Sequence, residues 1–195
     1  MRRLVIRSQV KVDKEARQNG ILDDCGPASA ACAASWVTDR EISAKEGIVA
    51  KAAATGREDI QGVSDNGSSL WDLLKAVKVL GAKGHLPETW DEVIAQGKKG
   101  AALIVNVSNG KTPFYDGVKM SSWHRKLVKK NPAANGYGHM IAIAWDEDLG
   151  WQFACPTMSG EGDELYAVPI TEAQVKAIAS SKGDAPKSRV LIVKK

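Results

Sequence analysis

Residues 22–35 read LDDCGPASAACAAS. An acidic pair precedes a cysteine, and Cys25-Gly26-Pro27 leads into a run of alanines. Proline is accepted in the first turn of a helix, where its missing N–H is not needed, and alanine is the strongest helix former. The stretch from Pro27 to about Val37 is therefore expected to be helical, with Cys25 at its N-terminus. There the backbone N–H groups lack helical partners and the helix dipole is positive, and both stabilise a thiolate. The thiolate is the nucleophilic form of cysteine. Gly26 leaves room for a close approach. Asp23 and Asp24 read as dipole partners, with Asp24 expected to turn away from the thiol. Taken alone, a buried structural cysteine is as good a reading of Cys25. Cys32, two helical turns further on, reads as core packing.

Outward from this helix, the chain continues with a second helix over Ile42–Ala54 and a loop over 55–67. A helix over SLWDLLKAVKVLG follows, capped by Ser68 or Ser69 and stopped at Gly81. Glu88–Gln96 reads as a short helix and 101–107 (AALIVNV) as a buried strand. The segment 109–137 is long and carries few regular signals, a length that marks functional or mobile loops. Two strands at 139–145 and 150–156 flank the acidic turn Asp146-Glu147-Asp148. A strand over 164–169, a helix from Thr171 to about Ser180 and a last strand in SRVLIVKK complete the order, with a short edge strand expected at 3–7. Helices first and antiparallel strands afterwards predict an α+β fold over a single domain, 1–195.

The bulk properties bound the function. The chain of 195 residues is long enough for a substantial core, and 44% hydrophobic with 26% charged residues is ordinary for a globular protein. The balance of 27 basic and 23 acidic residues gives +4. No stripe of interleaved arginines and aromatics is present, so nucleic-acid binding is not expected. A mild cationic excess is compatible with an anionic polymer such as a cell wall. Three cysteines match neither a zinc pattern nor a disulfide framework. No secretory signal or membrane span is read, which leads to the expectation of a monomer made in the cytoplasm, without stable membrane insertion.

A thiol nucleophile needs a base, and only His85, His124 and His139 exist. His139 follows Gly138 and opens an apolar strand, which holds it rigidly. His85 at a loop edge and His124 in the basic SSWHRK loop read as structural or solvent-facing. Trp123, Tyr137, Trp145 and Trp151 are expected along a substrate groove, and Trp71 and Trp90 in the core.

DDCGPASAAC, GSSLWDLLKAVKVLG, AALIVNV and GYGHMIAIAWDEDLGWQFACP, in this order, resemble the papain-like cysteine peptidases related to the bacteriocin double-glycine leader peptidases, a group that includes peptidase domains of bacteriophage endolysins. The resemblance implies a papain-like fold, N-terminal helices on an antiparallel β-sheet, with Cys25 as nucleophile and His139 as general base. It implies no metal or organic cofactor. The family places an oxyanion-hole glutamine at the position of Asn19; Gln18 is one residue away, and either amide could donate to an oxyanion. The family also has Asp-Pro where this chain has Cys155-Pro156. A thiol is a weak hydrogen-bonding partner, so a Cys–His dyad, help from Asp146, Asp148 or Thr157, and loss of activity all remain open. Expected substrates are peptides, with peptidoglycan cross-peptides of a phage lysin preferred to a leader peptide. The rival expectation is an inactive peptide-binding module.

Overall fold

The computed structural model describes residues 1–7, 24–56, 68–108, 138–156, 167–180 and 185–195. Their elements are α1 (Cys25–Thr38), α2 (Ala44–Thr55), α3 (Leu70–Val79), β1 (Lys83–His85), α4 (Trp90–Lys98), β2 (Ala102–Ser108), β3 (Gly138–Asp146), β4 (Gly150–Ala154), β5 (Val168–Ile170), α5 (Glu172–Ala179), a 3-10 turn (Pro186–Ser188) and β6 (Val190–Lys194). The strands form one sheet in the order β1-β6-β2-β3-β4-β5, and every neighbouring pair is antiparallel. The α+β expectation is borne out.

Both faces of this sheet are covered. Alternate residues of the central strands, among them Ala102, Ile104, Met140, Ala142, Ala144 and Leu191, pack with α1 and α3. The intervening residues, including Leu103, Val105, Ile141, Ile143, Phe153 and Ile192, pack with α4 and α5. Side chains alternate across a strand, so two covered faces require the unbroken apolar run seen in β2. The N-terminal helices α1 and α3 thus pack on one face of the antiparallel sheet, as expected, while α4 and α5 cover the other.

Four helices begin with a side-chain cap. Ser43 and Glu46, Ser69 and Asp72, and Thr171 and Gln174 form reciprocal capping boxes, and Thr89 accepts from the Glu92 N–H. The fifth, α1, has Asp24 at its N-cap with no side-chain cap bond. Eleven of its 14 residues are buried, nearly all of them small. Gly47 of α2 lies so close to the carbonyl of Pro27 that no side chain fits between them.

At the N-terminus, the expected strand at 3–7 reduces to a single bridge at Val5. The segment is fastened by Gln152 instead: its Oε1 accepts from the Leu4 N–H at 2.9 Å and its Nε2 donates to the Arg2 carbonyl at 2.8 Å. Ala167 N–H adds a backbone bond to the Leu4 carbonyl. No helix among the described residues is long and apolar enough to cross a membrane.

Candidate active site

Cys25 is the first residue of α1 and is half-buried. The close approach behind it is made by Ser68. A Cβ on Gly26 would stand 2.6 Å from both Cβ and Oγ of Ser68, which real contacts do not allow. Glycine after the cysteine is therefore required by packing. Ser68 had been read only as a possible helix cap; the cap is Ser69.

The electrostatics differ from expectation. The open helix end was expected to lower the thiol pKa, yet burial dominates and pushes it up to about 11. Hydrogen bonds from the backbone of Met140 and Gly26 pull the other way, while the nearby Cys155 and Asp24 add upward pushes. Asp24, expected to turn away, is itself buried at 3% exposure. Desolvation of a sulfur costs more here than a half-charge at a helix terminus returns.

Met140 ties Cys25 to the second element of the site, since the preceding residue is His139. Its Nε2 lies 3.2 Å from Cys155 Sγ, and both residues are buried. The strand register explains the contact. β3 and β4 pair Ala142 with Ala154, so an antiparallel continuation brings Cys155 beside Ile141 and makes it the diagonal neighbour of His139 on the same face. On the other side, β2 places Val107 directly opposite His139. Cys25 thus meets the backbone of β3 at the residue adjoining an imidazole that is already engaged by a second thiol.

The other candidates fall elsewhere. Cys32 is buried, as expected, and its Sγ donates to the Val5 carbonyl at 3.0 Å; burial pushes its thiol up to about 12. His85 pairs with Glu92 at 2.8 Å, away from Cys25. Asp146 stands at the opposite end of β3, seven residues or roughly 23 Å from His139, and Asp148 lies in the turn beyond it. Asp146 accepts from the Arg2 N–H, and Asp148 pairs with the amino group of Met1. Neither reaches the imidazole. Trp151, expected in a groove, is core at 4% exposure, and Trp71, expected in the core, is 63% exposed. Trp145 and Trp90 are partly buried against the α4–α5 layer. Gln18, Asn19, Trp123, His124, Tyr137 and Thr157 lie outside the described residues. No group of three or more potential metal-ligating side chains is assembled among the described residues.

No family model and no curated protein matches the sequence. Among solved structures, the chain is similar to a crystal structure from Bacillus anthracis described as a "putative C39-like peptidase", with a TM-score of 0.51 at 10% identity, covering 100% of this chain and 98% of that one. The fold is that of a C39-like, papain-like peptidase. At that identity the likeness concerns architecture alone. Within this fold α1 packs against β3.

Proposed function

We propose that the protein is a cysteine peptidase or amidase with Cys25 as nucleophile and His139 as general base. The observation that carries this reading is the junction at β3. A partly buried thiol at the start of α1, whose N-cap makes no side-chain bond, hydrogen-bonds to the backbone of Met140, the chain neighbour of the buried His139. Cys155 touches the same imidazole, which gives a competing nucleophile. Its 4% exposure argues against that role, because a substrate carbonyl must reach the sulfur.

The raised thiol pKa shapes the mechanism. A resting thiolate–imidazolium pair is disfavoured, so His139 takes the Cys25 proton as the sulfur attacks the amide carbonyl. The tetrahedral oxyanion is held by the Cys25 backbone N–H with the side chain of Gln18 or Asn19. The imidazolium then donates its proton to the leaving amine as the C–N bond breaks. Water hydrolyses the remaining thioester.

The substrate is a peptide amide. Peptidoglycan cross-peptides, the target of a phage lysin-type enzyme, are the substrate of choice for a first test, supported by the +4 charge and an anionic wall. Purified cell wall and a general protein substrate are digested with wild type and Cys25→Ala. A defined peptide product made by wild type and lost in the variant is the expected result. Equal products from both proteins, or none from either, would overturn the reading.

A further inference from the structure

We propose that Cys155 is a positioning residue: its sulfur accepts the Nε2–H of His139 and so holds the imidazole in the tautomer whose Nδ1 carries the basic lone pair. The inference deepens the reading of His139 as general base and rests on it.

The geometry comes first. Nε2 and Sγ are 3.2 Å apart, within hydrogen-bonding reach for sulfur. The residues are 3% and 4% exposed, so water does not compete for the bond. The ring is confined by its neighbours: Val107 stands across the β2–β3 ladder, and Ile141 and Phe153 on the same sheet face are fully buried. His139 lies in β3 and Cys155 directly follows β4, which is paired with β3 up to Ala142–Ala154, so the hairpin brings the two together.

The direction of the bond follows from chemistry. A neutral imidazole has one N–H and one lone pair. Were the thiol to donate to Nε2, the proton would sit on Nδ1 and that nitrogen could not act as a base. With sulfur as acceptor, Nε2 holds the proton and Nδ1 is basic. Carboxylates only accept, and enforce this tautomer; a thiol both donates and accepts weakly. Sulfur at position 155 therefore selects the working tautomer less firmly than a carboxylate does.

The test uses the whole protein and two readouts. The ring nitrogens of His139, followed by 15N NMR, report the tautomer without any substrate. Steady-state kinetics on the peptide cleaved by wild type report its use. Wild type is expected to show Nε2 protonated and Nδ1 bare. Cys155→Ala is expected to show mixed tautomers and a kcat lower by about 10–100-fold, with KM within about twofold. Cys155→Asp is expected to restore a single tautomer with kcat at or above wild type and to shift the kcat–pH profile. Cys155→Ser, the conservative variant, falls between. If Cys155→Ala does not fold, wild type, Cys155→Ser and Cys155→Asp carry the same comparison. Protonation of Nδ1 in wild type overturns the proposal, as does a tautomer unmoved by every substitution at 155. A protein that cleaves nothing yet shows the expected tautomers refutes the hydrolase reading and leaves the positioning role standing.

Discussion

Gly97, in the last turn of α4, lies against the six-membered ring of Trp151 on β4, and a Cβ there would stand 2.7 Å from its Cζ3. Alanine in a helix normally gains up to about 1 kcal/mol over glycine. Overpacking a closed core costs about 1–3 kcal/mol. Because the whole α4 layer must move off the sheet, Gly97→Ala is expected to destabilise by about 1–2 kcal/mol in denaturant unfolding. The cost should vanish in a Trp151→Leu background. A Gly97→Ala protein as stable as wild type would refute the contact.

Gln152 is the fastener of the first seven residues, with one amide bonded to Leu4 and Arg2. Gln152→Leu keeps the bulk and leaves two backbone groups without partners, at a cost of about 1–3 kcal/mol. Hydrogen exchange is expected to speed up at Leu4 selectively. Unchanged protection there would show that the remaining bonds of the segment, to Ala167, Asp146, Asp148 and Cys32, suffice to hold it.

The thiol of Cys25 is pushed up to about 11 from an ordinary value of 9.0. The sign follows from linkage. The unfolded chain gives up this proton first, so the stability contribution is complete below pH 9 and is lost as pH rises towards 11. Cys32 acts in the same direction. Wild type is thus expected to lose stability across this window more steeply than Cys25→Ala. Iodoacetamide labelling of Cys25 should rise across the same window. A labelling rate that is already at its plateau at neutral pH would mean a resting ion pair, contrary to the mechanism above.

Glu92 accepts from the Glu88 N–H and from His85, and these two bonds, in that order, hold its carboxyl below the ordinary 4.5. A depressed carboxyl stabilises above its unfolded pKa, and the contribution is lost as pH falls through the folded one. Glu92→Gln is expected to cost about 1 kcal/mol at neutral pH and to flatten the acid limb of the stability curve below about pH 4.5. An unaltered acid limb would show that the pair is idle.

Much of the architecture was legible where local chemistry and the fold agree. The Ser69–Asp72 capping box and the recurrence of Leu70, Leu73 and Val77 mark α3, and the unbroken apolar run of β2 reflects two covered faces. Cys25 and His139 stand out as candidates by their position in the chain. What escaped is set by tertiary context. β1 is only Lys83–His85, with no apolar pattern, and exists because β6 pairs with it. Trp71 sits next to Leu70 in a helical pattern but points outward. Trp151 shares the parity of Phe153 and Cys155, which the α4–α5 layer covers. The high pKa of Cys25 and the burial of Asp24 come from desolvation, which no local motif encodes. The contact between Cys155 and His139 needed only the register of one hairpin, once that register was known.

The burial of α1 limits how this protein is able to evolve. Nearly every side chain of the helix is small and enclosed, so the helix has no slack by which to slide or turn. The sulfur at its head is held by the same contacts that keep the molecule folded. Warming should therefore leave the reactivity of Cys25 intact until the entire structure gives way at once. Substitutions that this protein tolerates must therefore fall mostly outside this helix, because drift within it is paid in folded molecules.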